Sequence, residues 1–159
     1  SLPILPSASL YFSDTVLVLS IIAIIYTSFV AMAQDDMKKM IAYSSVAHMG
    51  YVTAGIFSLT EVGIKGAIFQ MVSHGIVSSA LFLSIGFLYE RTNSRLIKDY
   101  SFLVKSMPVF SLLFVITVLS SVGLPGTSGF IGELMSVLGA YKFKSIFFNI
   151  LCTKILFLN

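Results

Sequence analysis

The sequence predicts an all-α membrane protein: a polytopic helix bundle of about four to five transmembrane segments, one of them broken. Three observations carry that expectation. Of the 159 residues, 57% are hydrophobic and only 11% are charged, against roughly 25% charged in an ordinary soluble domain; so little charge cannot cover a water-facing globule. Mean hydropathy is +0.96, and apolar runs of about spanning length alternate with short polar turns. Finally, Leu119–Glu133 sets Pro125, four glycines and a carboxylate inside a run otherwise apolar enough to cross a membrane. Interrupted backbone at membrane depth survives only where protein or a wet cavity surrounds it, because unpaired N–H and C=O groups are costly in lipid.

The elements follow in order. Residues 1–13 hold prolines and serines without charge and read as a loop or interfacial lead-in. They lack the basic region and cleavage pattern of a signal peptide. The first span is expected over about 14–33, ending in the polar turn Gln34-Asp35-Asp36-Met37-Lys38-Lys39. The second runs over about 40–59 and carries Tyr43, Ser44, Ser45, His48, Tyr51 and Thr53. After Thr60-Glu61-Val62-Gly63, a third covers about 64–89, followed by a basic loop from Glu90 to Ser106. The fourth, about 107–141, is too long for one straight crossing and is broken near 124–129, so it reads as two half-helices. A fifth begins near 145 and stops at Asn159 before it can span. With Ser1 in first position, both ends look cut, as in a fragment of a larger protein.

Charge sets the expected orientation and narrows the function. The 34–40 and 90–106 loops hold Lys38, Lys39, Arg91, Arg95, Lys98 and Lys105, whereas Lys65, Lys142 and Lys144 fall on the other side. Six against three places the first set in the cytoplasm or mitochondrial matrix. A net charge of +3, with the cations at the ends of apolar runs, does not imply nucleic-acid binding. A single cysteine, Cys152, excludes an internal disulfide and a self-contained thiolate metal or iron–sulfur site. Two histidines on different helices make a weak metal case, so no metal site is expected.

Ionisable groups inside the spans are the candidate functional residues. Gln70, His74 and Ser78 repeat at i, i+4 and form one polar stripe on an apolar helix. An imidazole there suits a proton relay, since its ordinary pKa near 6.5 lets it take and return protons near neutral pH; bonding to a neighbouring helix is the plainer role. His48 shares a face with Ser44 and Tyr51 but lies nearer the end of its span, where a structural role is expected. Lys154, in the last run, is explained by snorkelling as well as by any pathway. Glu133 stands out, an acid just past the Gly/Pro break. Capping of the second half-helix explains its position, but not the convergence of glycine, proline and acid at mid-membrane, which favours proton exchange.

These residues carry a resemblance. Asp36-Met37-Lys38-Lys39-Met40-Ile41-Ala42-Tyr43-Ser44-Ser45-Val46-Ala47-His48-Met49-Gly50, Met71-Val72-Ser73-His74-Gly75, Tyr89-Glu90-Arg91-Thr92, and Leu124-Pro125-Gly126-Thr127 with Gly132-Glu133 together resemble the antiporter-like subunits of respiratory complex I. The Tyr-Glu-Arg-Thr loop and the Ser-x-His-Met-Gly form resemble the M-type, or mitochondrial subunit 4 type. The likeness covers about residues 1–143, and Tyr100-Ser101-Phe102-Leu103 departs from it where paired glycines are usual.

The resemblance implies the C-terminal-half portion of a subunit of fourteen helices that moves protons. NADH oxidation and quinone reduction happen elsewhere in the complex. It implies a proton pathway through His74 and Glu133, with Gln70, Ser78 and His48 as supporting groups and no catalytic residue in the redox sense. It implies no redox centre or cofactor in this chain, with NAD, FMN, iron–sulfur clusters and quinone held by partner subunits. The expected partners are the other membrane-arm subunits, the missing upstream half of this subunit and the lipid bilayer, in a mitochondrial inner or bacterial plasma membrane. The family's upstream glutamate and lysines are not present here, which argues against independent pumping. The alternatives are a subunit of a related Na⁺/H⁺ antiporter or membrane hydrogenase, and a non-pumping structural membrane fragment.

The charge count makes a topological prediction. A cysteine placed at Asn93 or Ser94 is expected to react with an impermeant maleimide only from the cytoplasmic or matrix side. Labelling from the opposite face would invert the orientation.

Overall fold

The computed structural model describes residues 4, 6–100 and 103–143. The expected fifth span from 145, with Cys152 and Lys154, lies outside the described residues, as do Lys144, Ser101 and Phe102. Six helices follow one another: α1 (Pro6–Met32), α2 (Met37–Phe57), α3 (Glu61–Thr92), the single turn α4 (Leu103–Ser106), α5 (Pro108–Val122) and α6 (Ser128–Phe143), with a 3₁₀ turn at Ile97–Tyr100 between α3 and α4. The architecture is the expected all-α bundle, with α5 and α6 as the two halves of the broken segment.

The helix ends differ from the expected spans for local reasons. α1 starts at Pro6, inside the stretch read as a loop, because proline's missing N–H is unneeded in a first turn and its fixed φ suits one. Hydroxyls along α1 return to their own helix: Ser13 to Leu10 O at 2.8 Å, Thr27 to Ala23 O at 2.6 Å and Ser28 to Ile24 O at 2.5 Å. Those hydroxyls thereby satisfy their hydrogen bonds within the helix. α2 takes in Lys38 and Lys39, expected in the preceding turn, because Asp36 caps it: its carboxylate accepts from their two amides at 2.8 and 3.2 Å. α2's 21 residues reach ~32 Å at ~1.5 Å per residue, enough for a hydrocarbon core of ~30 Å. α3, at 32 residues, is longer than the expected third span. Thr60 caps its start and left-handed Asn93 ends it.

The interruption runs from Gly123 to Thr127. Gly123 ends α5 at φ 76° and ψ 41°, with its N–H returned to Leu119 O. Leu124–Thr127 then closes as a turn through Thr127 N–H to Leu124 O at 2.9 Å, with Pro125 second and Gly126 third at φ 103°, the arrangement of a type II turn. Glycine is required at both positions because a Cβ penalises positive φ.

Two apolar clusters hold the bundle. Ile21, Ile24, Tyr51, Val137 and Ala140 join α1, α2 and α6. Met37, Ile41, Leu81, Ile85, Leu88 and Tyr100 join α2 and α3, with Phe110, Phe114 and Val118 of α5 packed against them. The outer faces stay apolar, Leu83 being 75% exposed, which suits contact with acyl chains rather than water. By length and composition, α1 and α3 are long and apolar enough to cross a membrane, and α5 is a shorter apolar helix.

Between α3 and α6 the backbones approach on a seam of small residues. A Cβ on Gly139 would lie 2.6 Å from Gly63 N, and one on Gly66 2.8 Å from Ser136 N. Such contact replaces hydrophobic driving force where lipid is as apolar as leucine. Gly139→Ala is therefore expected to destabilise by about 1–3 kcal/mol through overpacking, read as a lower melting temperature in detergent. Gly75 has open space about it, so Gly75→Ala should be neutral or stabilise by up to about 1 kcal/mol. Equal melting of wild type and Gly139→Ala would show that the seam is not tight.

Candidate functional site

The seam and the break put three helices' polar side chains in one place. Glu133 sits in the second turn of α6 and is only 7% exposed. A Cβ at Gly123 would lie 3.3 Å from Glu133 Oε2, so the missing side chain at the end of α5 makes room for the carboxylate. Glu133 Oε1 meets His48 Nδ1 at 2.6 Å, with side chains 9% and 13% exposed. His48 therefore sits near the middle of α2 facing the acid, rather than near the end of its span. The contact is short enough to be charge-assisted: either imidazolium or neutral Nδ1–H donates to a carboxylate, or a protonated carboxyl donates to bare Nδ1.

Gln70 supplies the second partner. Its Nε2 donates to Glu133 Oε1 at 3.3 Å, and at 2% exposure its Oε1 is a buried oxygen without a hydrogen-bond partner among the described residues. Gln70 packs directly on Gly132, where any Cβ would collide with it. In this orientation the amide serves an ionised carboxylate. Turned over, Oε1 would accept from a protonated Glu133, so the same side chain suits both charge states.

His74 lies beside His48 with ring centroids 5.5 Å apart and planes tilted by 39°. Its Nε2 meets Ser45 Oγ of α2 at 2.7 Å. No hydrogen bond joins the two rings among the described residues, but two cavities of about 10 Å³ flank them. One is lined by Gln70, Ser73, Ser120 and Ser121, the other by Ser44, Ser45, Ser78 and Ser121. Each is close to the size of one water molecule and has the several polar partners such a water needs. Ser73 Oγ donates to Ser128 Oγ at 2.6 Å and ties α3 to the start of α6. A larger cavity of about 400 Å³, lined mainly by apolar residues of α1, α2, α3 and α5, also reaches His48.

Of the residues singled out in the sequence, Gln70, His74, His48 and Glu133 converge. Ser78 lines one cavity, yet its hydroxyl turns back to Gly75 O at 3.4 Å rather than to a histidine. Ser45 was missed as a partner of His74. Its one available signal was helical spacing, which puts it three residues before His48 on α2. No metal set of three or more His, Cys, Asp or Glu side chains forms among the described residues; the groups form two hydrogen-bonded pairs, Glu133 with His48 and His74 with Ser45, and the two imidazole rings lie side by side.

A buried acid against a helix break, hydrogen-bonded to one imidazole with a second imidazole and water-sized hydroxyl-lined cavities beside it, gives this all-α membrane bundle a polar centre. The chain belongs to the family described as "NADH:quinone oxidoreductase/Mrp antiporter, TM", which matches residues 1–157. It is 62% identical over 141 residues to NADH-quinone oxidoreductase subunit M of Rickettsia typhi, covering 89% of this chain and 28% of that one. To NADH-ubiquinone oxidoreductase chain 4 of Marchantia polymorpha it is 53% identical over 146 residues, 92% of this chain and 30% of that one. The fold superposes on a chain of respiratory complex I from Thermus thermophilus with bound NADH at a TM-score of 0.93 and 35% identity, covering 98% of this chain and 33% of that chain. The membrane-bound sulfane sulfur reductase, an archaeal respiratory membrane complex, shares the fold at a TM-score of 0.74 and 23% identity. The chain thus spans less than a third of the length of the curated relatives.

The geometry makes Glu133 dependent on His48. His48→Ala leaves a buried acid with Gln70 alone and is expected to cost about 3–5 kcal/mol, the usual result of breaking a buried pair. In His48→Ala with Glu133→Gln the combined loss should fall short of the sum of the two single losses by about 0.5–3 kcal/mol. Strict additivity in the melting of the four proteins would show the pair uncoupled.

Proposed function

We infer that this chain is part of a proton-translocating membrane subunit of NADH:quinone oxidoreductase. Its path runs through Glu133, His48, His74 and Ser45. The single observation that carries the reading is the 2.6 Å contact of His48 Nδ1 with Glu133 Oε1, made between α2 and α6 beside the break. Buried carboxylate and imidazole at that distance exchange a proton with almost no movement of heavy atoms.

The steps balance with the groups at hand. A proton on Glu133 passes to bare Nδ1 of His48, and the imidazolium releases its Nε2 proton to a water in a flanking cavity. That water delivers a proton to His74, which gives its Nε2–H to Ser45 Oγ across 2.7 Å, while the hydroxyl passes its own proton onward. Gln70 turns its amide to match the charge of Glu133. Run backwards, the same steps move protons the other way, so direction comes from the machinery coupled to the chain. That machinery is the oxidation of NADH and the reduction of quinone, with NAD, FMN and iron–sulfur clusters in partner subunits. The remaining helices of the relatives' length, and the bilayer of a bacterial or mitochondrial inner membrane, complete the surroundings. Cation–proton antiport is the second reading, supported by the inclusion of Mrp antiporters in the family's description.

The test is proton translocation per NADH oxidised, normalised to assembled complex. Glu133→Gln keeps size and hydrogen bonding but cannot titrate, and should abolish translocation. Glu133→Asp keeps the acid one methylene short and should retain part. If the glutamate only caps α6, both variants would pump like wild type and the change would appear in assembly or melting.

A further inference from the structure

A second polar feature lies at the charged end of the bundle, away from the relay. There Met37 N–H bonds Arg95 O at 3.0 Å and Ile97 N–H bonds Asp35 O at 3.2 Å, pairing Asp36 with Leu96. This short ladder pins the chain after α3 against the start of α2 and so fixes Arg95 beside Lys38. Between them and α3 lies a groove of about 220 Å³ lined by Lys38, Phe82, Ile85, Gly86, Tyr89 and Arg95.

Its two ends differ in chemistry. At the charged end, the Arg95 guanidinium lies over the Tyr89 ring at 4.7 Å, which orients the guanidinium while leaving its N–H donors free at the edge. Neither Lys38 nor Arg95 forms an ion pair among the described residues. Two of the nearby carboxylates are engaged elsewhere: Asp36 accepts from the amides of Lys38 and Lys39, and Asp99 accepts from the Ser94 hydroxyl. Towards mid-membrane the wall is apolar. Ile85 is buried, while Phe82 and Tyr89 flank Gly86, about which a Cβ would meet nothing within 4 Å.

We propose that this groove holds one anionic phospholipid, its phosphate between Lys38 and Arg95 and an acyl chain descending from Tyr89 over Gly86 to Phe82. Two adjacent cations without an ion pair among the described residues match the charge of an anion. The apolar trough below them, about 10 Å long over the seven helical steps from Phe82 to Tyr89, fits an acyl chain rather than a free ion. Basic residues at the end of a membrane helix recognise acidic headgroups in this way. The proposal needs only that the bundle lies in a bilayer and is independent of proton transfer.

The test uses the protein purified with its native membrane partners, supplied with phosphatidylglycerol carrying a diazirine in its acyl chain, and photoreactive phosphatidylcholine as control. Labelling of the segment from Phe82 to Arg91 by phosphatidylglycerol should exceed that by phosphatidylcholine about thirtyfold, the preference that two surface cations together give. Lys38→Gln with Arg95→Gln should remove the preference, and Lys38→Arg should keep it. Gly86→Leu projects into the trough from a position where a Cβ meets nothing within 4 Å, so it should remove labelling without lowering the melting temperature. Equal labelling by the two lipids in the wild type would overturn the proposal. So would full labelling in Gly86→Leu, or a preference lost to inorganic phosphate while Gly86→Leu has no effect, which would mark a simple anion site.

Discussion

The contact between His48 and Glu133 is the constraint that the rest of the bundle serves. A carboxylate in a mostly apolar interior is tolerated only when paired and hydrogen-bonded, and here its partners come from two other helices, His48 of α2 and Gln70 of α3. Three helices must therefore hold their register to within a fraction of an ångström. A rotation of α6 by one residue, about 100° on a helix of 3.6 residues per turn, would carry Glu133 off both partners and leave it against apolar side chains.

Small residues are what make that register possible. Gly132 lets α6 lie directly against Gln70, Gly139 lies on Gly63, and Gly66 faces Met135 and Ser136. A longer side chain at any of these contacts would push α6 outwards and lengthen a bond that is now 2.6 Å. The break contributes in the same way: Gly123 ends α5 without a Cβ, and Glu133 Oε2 occupies the space. The interruption is thus both a backbone requirement, set by positive φ at Gly123 and Gly126, and a recess for the acid.

Much of this was legible along the chain because the signals are local. Apolar runs mark the helices, glycine and proline mark the interruption, and Gln70 and His74 share a face by spacing alone. What was not legible depends on which helices meet. His48 and Glu133 lie 85 residues apart, and no period within α2 reveals that position 48 faces α6. Ser78 shows the reverse: it is on the stripe by spacing, yet a serine in a helix readily bonds its own backbone, and this one turns to Gly75 O. The starts of α1 and α2 depended on capping chemistry at Pro6 and Asp36, which hydropathy does not weigh.

The polar groups around the two histidines are serines rather than further acids or lysines, and the choice has a physical consequence. Ser44, Ser45, Ser73, Ser120 and Ser121 line the water-sized cavities. A hydroxyl both donates and accepts, so it can reverse its hydrogen bond as a proton passes and return to its starting state by rotation. It carries no charge to desolvate, so it lowers no well in which the proton would stay. Another carboxylate beside His48 would hold a proton more firmly than the imidazole passes it on, and a lysine would repel it. In the proposed relay, neutral hydroxyls between a few titratable groups would let a proton dwell on His48, His74 or Glu133 and nowhere between, while the outer faces of the bundle stay apolar.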